Sequence, residues 1–330
     1  MSIYIYIATP DSYSIQVFQF KKNNKHLQLV QEVSIQGEPQ PIYILESKKL
    51  LYVGIRPNNR INTYAVQNNG NLKKLSSIKL SYPINHISID INKNLLFCSS
   101  YHGNLMYLIK LDNTGIPKKI IFTINNILGC HFSHIDIQNK LIYSTALKED
   151  KIYIHKLCKL QNNFEINFQN YLQLSNKSGP RHLTFHHNKK YLYSINELNS
   201  TIDVLKINTN NKLKIIQNIS MMPLEYEGKH WASDITITNC SNFLYTIDRI
   251  ANIVTLFKIH PILSTLTMIH NYVTECQPRS FHIDKYGQHL YIVGQKSNSL
   301  SIYKIDPNNG ELNFLIDTQT GKNPLWITTM

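Results

Sequence analysis

One pattern returns seven times along the 330 residues: a short alternating apolar run, a polar turn, and a second alternating run. The copies are IYIATPDSYSIQVFQF (5–20), LLYVGIRPNNRINTYAV (50–66), LLFCSSYHGNLMYLIKL (95–111), LIYSTALKEDKIYIHKL (141–157), YLYSINELNSTIDVLKI (191–207), FLYTIDRIANIVTLFKI (243–259) and HLYIVGQKSNSLSIYKI (289–305). Aligned on the aromatic of the first run they fall at Tyr6, Tyr52, Phe97, Tyr143, Tyr193, Tyr245 and Tyr291, at intervals of 46, 45, 46, 50, 52 and 46 residues. A period in the mid-forties with several period-2 runs per copy is the signature of propeller blades of about four strands each.

A complete copy supports that strand count. Around Tyr193 the strands read A Arg181–His186, B Tyr191–Asn196, C Thr201–Ile207 and D Leu213–Ser220. Each is rich in Ile, Leu, Tyr, Val or Thr and bounded by Asn, Lys, Gly or Pro, as strands and their turns require. Sustained helical periodicity is absent. A blade cannot bury its faces without neighbours, so the length does not imply two domains. The expectation is an all-β, seven-bladed β-propeller of four-stranded blades, one domain over residues 1–330.

The first copy lacks a strand A. The segment GKNPLWITTM (321–330) resembles the A segments SGPRHLTF (178–185), ECQPRSFHI (275–283) and GEPQPIYI (37–44). The C-terminal strand is therefore expected to join the N-terminal blade and shut the ring, which removes open sheet edges.

Blade geometry then sorts the loops. The D-to-A and B-to-C connections emerge on one face, and strand A lies nearest the axis. Twelve residues before each aligned aromatic stand Gln40, Asn85, His131, Arg181, Ser233 and Arg279, with Leu325 supplied by the closing strand. Four residues after it stand Pro10, Arg56, Tyr101, Leu147, Glu197, Arg249 and Gln295. Both tiers belong to the same face, at the mouth of the central channel.

Arginine usage singles that face out. The chain has five arginines, Arg56, Arg60, Arg181, Arg249 and Arg279, and every one lies in a B-to-C loop or at the start of a strand A. A guanidinium presents a rigid bidentate fork for phosphate or carboxylate that lysine cannot replace. Arginine gathered at one mouth implies anion recognition there, with pairing to Asp248 or Glu197 as the structural alternative and Arg60 read as structural.

The formal charge of +13 does not call for nucleic acid, because the lysines are scattered through Asn-rich turns instead of forming a stripe; an anionic small substrate still benefits from the field. No apolar run is long enough to span a bilayer and no signal peptide is evident. Five cysteines without CxxC pairing fit reduced thiols in a cytoplasm. There is no GxSxG elbow, GxGxxG, P-loop or HExxH. His131 and His134 stand at odd spacing, which on a strand sends them to opposite sides, so neither metal nor cofactor is expected. His86 and His182, one residue into strand A, read as packing against the next blade, and the acidic stretch Leu224–Gly228 as a lid or a plain insertion.

The segments GCHFSHIDI (129–137), ALKEDKI (146–152), GPRHLTFH (179–186), NELNSTIDV (196–204), DRIANIVTLF (248–257), QPRSF (277–281) and GQKSNSLSIY (294–303) resemble the bacterial propeller-type 6-phosphogluconolactonase family, essentially from end to end. The resemblance implies a seven-bladed propeller that hydrolyses 6-phospho-D-glucono-1,5-lactone in the oxidative pentose phosphate pathway. Related propellers, the carboxy-muconate lactonizing enzymes, use a His, two Arg and a Glu, and the matching positions here are His131, Arg181, Glu197 and Arg279. On that reading Glu197 acts as general base, Arg181 or Arg279 stabilises the oxyanion and His131 protonates the leaving oxygen, while Arg56, Arg249 or Lys148 binds phosphate. A phosphorylated sugar lactone is then the partner, and a monomer the default assembly. Two other readings stay open: a lactone-forming or isomerising enzyme on the same scaffold, and a non-catalytic interaction propeller.

Overall fold

The computed structural model describes residues 2–136, 138, 140–160 and 164–330; Ile137, the last residue of the 129–137 segment, lies outside them. The described strands form seven four-stranded antiparallel sheets, and among the described residues there is no α-helix and no helix long and apolar enough to cross a membrane. The blade around Tyr193 comprises Pro180–Phe185, Tyr191–Asn196, Thr201–Ile207 and Leu213–Ser220. Only its inner strand departs from expectation, by one residue at each end.

The ring closes as expected. Trp326–Thr329 is the inner strand of the first blade, paired antiparallel with Ser2–Thr9 through Ala8 opposite Trp326, Ile7 opposite Ile327, Tyr6 opposite Thr328 and Ile5 opposite Thr329. Ile327, 2 % exposed, packs with Ile5, Ile7 and Ile302. The C-terminal strand thus joins the first blade to the seventh.

Apolar burial is organised between blades. Each of the seven core clusters draws its residues from two neighbouring sheets, as where Leu45, Tyr52 and Ile61 meet Leu96, Leu105 and Tyr107. A sheet radiating from an axis has two apolar faces and can bury them only against its neighbours. The repeating aromatic adds a directional link. The hydroxyls of Tyr6, Tyr52, Tyr193 and Tyr245 donate to the carbonyls of Gly70, Gly115, Ser264 and Gly310 in the C-to-D turn of the next blade, at 3.0, 2.7, 3.0 and 2.5 Å. Gly115 holds φ +97°, a conformation open to glycine but strained for L side chains.

Candidate active site

A local irregularity of the inner strands builds the site. Where strand A pairs with strand B, the ladder skips one residue between Cys130 and Phe132, Pro180 and His182, Ala232 and Asp234, and Pro278 and Ser280. The skipped residues are His131, Arg181, Ser233 and Arg279. A bulged residue leaves the regular alternation, and its side chain is re-aimed. In the second blade the shift spans Gln40 and Pro41. In five of the seven blades the tier read from the sequence thus falls on a β-bulge, while Asn85 and Leu325 stand just before their inner strands.

His131 and Arg279 turn into a mouth cavity of about 260 Å³ together with Gln40, Asn85 and Leu325; the B-strand ends add Arg56, Tyr101, Glu197 and Arg249, and Pro41, His102 and Trp326 complete its lining. Arg181 is not among these lining residues. It is 1 % exposed and lies behind Glu197, with Nε 2.8 Å from Glu197 Oε2. Arg249 Nη2 reaches the same oxygen at 3.0 Å, and Trp231 Nε1 donates to Oε1 at 3.2 Å. Arg181 also donates to the Ser233 carbonyl, and Arg249 to the carbonyls of Trp231 and Ala232 at 3.2 and 3.0 Å. The hairpin from Arg181 to Glu197 brings guanidinium and carboxylate together, as the chain order requires.

Charge at the mouth is unbalanced. Arg181, Arg249 and Arg279 act on Glu197, the one carboxylate of the cavity lining, while Arg56 shares that lining; Glu38 acts on Arg56, and Asp234 on Arg181 and Arg279, from behind it. Burial alone would raise the Glu197 pKa, but Arg249, Arg181 and Arg279 overrule it and hold the group below its ordinary value. Burial pushes all four arginines down, and for Arg56, Arg181 and Arg249 the charge of Arg279 adds to it. A guanidinium does not give up its proton, so the mouth is suited to receive an anion. Arg279 Nη1 and Arg56 Nε are buried atoms without a protein partner, and so is His131 Nδ1. Burial, then Arg181, keeps His131 neutral, its pKa well below the usual imidazole range.

Beneath the mouth, aromatic rings from separate blades converge on the axis. His182 lies 5.0 Å from His131, 5.6 Å from His86 and 5.9 Å from Trp326, centroid to centroid, and Phe132 stacks at 4.2 Å on His86. The packing read for His86 and His182 holds, since His86 meets Phe132 and His182 meets Asp234 on the neighbouring blade, and the two rings also meet each other under the mouth from non-adjacent blades. His182 Nδ1 stands 2.8 Å from Asp234 Oδ1, and its ring meets Arg181 Nη1 at 3.3 Å. On the far side lies a second cavity of about 410 Å³, to which His134 contributes, so His131 and His134 do face different spaces.

The other expected residues sit further out. Lys148 is exposed at the rim, its Nζ 4.7 Å from the Tyr101 ring centroid. Arg60 opens its strand outside the cavity. Leu224–Gly228 belongs to the 221–231 connection; Leu224 is fully exposed. Sequence reasoning passed over three residues: His102, Trp326 and Trp231. The last two are the only tryptophans of the chain, and Trp231 lies within the interval of 52 residues from Tyr193 to Tyr245, the longest between repeats. That coincidence was the available signal.

The lactonase, seven-bladed β-propeller family model matches residues 4–329. The chain is similar to the 6-phosphogluconolactonase of Buchnera aphidicola subsp. Schizaphis graminum, 43% identical over 331 residues covering 98% of each chain. It is also similar to the 6-phosphogluconolactonase of Serratia proteamaculans, 36% identical over 327 residues, 99% of this chain and 98% of the other. In fold it matches the periplasmic gluconolactonase of Pseudomonas aeruginosa, with a TM-score of 0.90 at 19% identity over 100% of this chain and 99% of that one. Seven four-stranded blades, a closed ring and an arginine-lined mouth accord with these matches: the chain belongs to the seven-bladed β-propeller lactonase family.

Proposed function

We propose that the protein hydrolyses 6-phospho-D-glucono-1,5-lactone to 6-phospho-D-gluconate in the oxidative pentose phosphate pathway, acting as one domain over residues 1–330. The observation that carries this reading is the mouth cavity itself, where three guanidiniums act on a single lining carboxylate and a fourth, Arg56, shares the lining. Phosphate at one end of the substrate and the carboxylate formed at the other supply the missing negative charge. The full-length relatives named 6-phosphogluconolactonase support the same substrate.

A lactone is an activated ester, so a positioned water attacks its carbonyl without a protein nucleophile. Glu197 takes a proton from that water; its Oε2 is occupied by two arginines, and Oε1 carries the free lone pair. Arg279, with an unpartnered Nη1 in the lining, stabilises the developing oxyanion. Arg181, buried behind Glu197, keeps the base ionised and oriented and does not touch the carbonyl. When the tetrahedral intermediate collapses, the proton held on Glu197 passes to the ring oxygen. His131, neutral near pH 7, offers one hydrogen bond to that oxygen, a smaller part than the acid role expected of it. Arg56, near His102 as Lys148 is, takes the phosphate; Arg249, paired with Glu197, adds its charge at the cavity wall. Every group used comes from one chain, so a monomer suffices. A phosphorylated substrate does not cross membranes freely, which supports a cytoplasmic site of action.

The test is lactone disappearance with the spontaneous rate subtracted, comparing 6-phosphogluconolactone, unphosphorylated gluconolactone and a carboxy-muconate. Preference for the phosphorylated lactone is expected. Turnover of the muconate alone would establish the lactonizing alternative, and no acceleration of any of the three would leave an interaction propeller.

A further inference from the structure

Trp231 sits where a core residue would not. Its ring is 36 % exposed, at the end of the 221–231 connection on the mouth face. Its backbone is pinned: the Trp231 amide donates to Asp248 Oδ2 at 2.8 Å, and Asp248, fully buried, also accepts from Ser200 Oγ at 2.6 Å and from the amides of Ile250 and Ala251 at 2.8 and 2.9 Å. The anchored backbone aims the indole at two partners. Its Nε1 donates to Glu197 Oε1 at 3.2 Å, and its ring lies under the Arg249 guanidinium with Cζ 3.7 Å from the centroid. The Trp231 carbonyl accepts from both the backbone amide and the Nε of Arg249, at 3.0 and 3.2 Å.

We propose that Trp231 is a positioning residue for lactone hydrolysis, a clamp that fixes the free carboxylate oxygen of Glu197 and the plane of Arg249 at once. Glu197 Oε2 is held by two arginines, but without the indole N–H its Oε1 has no protein donor. A donor on the ionised form favours that form. A guanidinium stacked on an aromatic face keeps its fork in one plane, so one side chain sets the geometry of base and counter-charge together. The proposal rests on the reading of Glu197 as the base.

The experiment compares Trp231→Phe, which keeps a ring under Arg249 and removes the N–H, with Trp231→Ala, which removes both. Trp231→Phe is expected to lower kcat about tenfold, the effect of losing one hydrogen bond to a charged group, with little change in KM. The acid limb of its kcat/KM profile should move up by about one pH unit, because Glu197 loses a donor to its ionised form. Trp231→Ala should in addition weaken 6-phosphogluconate binding about threefold through Arg249. In a Glu197→Gln background, Trp231→Phe should cost no further kcat, since both changes act through one group. If Glu197→Gln is inactive while Trp231→Phe has normal kcat and an unmoved acid limb, Trp231 is rim packing and the proposal is overturned. Near-normal turnover in Glu197→Gln overturns the base assignment instead. Trp231 is then judged by product affinity in Trp231→Ala, and unchanged affinity overturns its role there too.

Discussion

Replacing Glu197 by glutamine removes a negative charge on which two nearly buried arginines depend. Arg181 and Arg249 are 1 % and 5 % exposed and share Glu197 Oε2 at 2.8 and 3.0 Å. Removing one partner of a fully buried pair costs about 3–5 kcal/mol. Here the side chain of Glu197 is 16 % exposed, and the glutamine oxygen still accepts from a guanidinium, so about 2 kcal/mol is expected. For a chain of this size that is a Tm lower by roughly 3–5 °C. Turnover should fall roughly 10²–10⁴-fold if Glu197 is the base. Two further signatures follow from the charge. 6-Phosphogluconate, bringing its own anions, should raise the Tm of the variant more than that of the parent. The folded-state pKa of Glu197 lies below its unfolded value, so its contribution is present above pH 4.5 and lost as pH falls through the folded value. The variant lacks that component, and its stability should depend less on pH in this acid window. Turnover with background subtracted, together with melting curves at several pH values with and without product, measures all of this. Activity within a few-fold of normal and an unmoved Tm would refute the reasoning.

Arg279→Ala should weaken 6-phosphogluconate binding and lower turnover, with Arg279→Lys restoring only part of either because a point charge does not replace the fork; full rescue by lysine, seen by calorimetric titration, would argue against bidentate contact. Deleting residues 323–330 should leave Ser2–Thr9 with an open edge and expose the core around Ile5 and Ile7, giving an insoluble or far less stable chain in a solubility and thermal-shift assay. Tyr52→Phe removes the 2.7 Å bond to the Gly115 carbonyl and should cost about 1 kcal/mol in chemical denaturation without affecting turnover.

The fold was legible because the same burial problem is solved seven times. Tyr193 and its six counterparts mark a strand packed between sheets, and the spacing survives a Lys- and Asn-rich composition because only the apolar positions are constrained. The inner strand was misplaced by one residue at Arg181, the position the ladder skips; a bulge has no period to betray it. The mouth tiers were legible from strand counting, and so were the arginines. That Arg181 stands behind Glu197 and not in the cavity was hidden, since sequence gives a residue's height along the axis but not its depth. That His182 packs on the next blade was legible, but its particular partner there, Asp234, lies 52 residues away and was not. Trp231 escaped because it belongs to a connection, where neither pattern nor register applies.

The skipped position of each inner strand separates two jobs that most residues perform together. In a regular strand a side chain is bound to its sheet face, and changing it disturbs the packing on that face. His131, Arg181, Ser233 and Arg279 stand outside the alternation that builds the interblade cores, so each can be exchanged with little consequence for the ladder beside it. The mouth then behaves like a keyboard with keys on several blades, of which the imidazole of His131 and the guanidinium of Arg279 face the cavity. Chemistry on such a ring can diverge by single substitutions while the architecture stands still, and a redesign aimed at a different lactone would begin at His131, the skipped residue that lines the cavity and is held neutral.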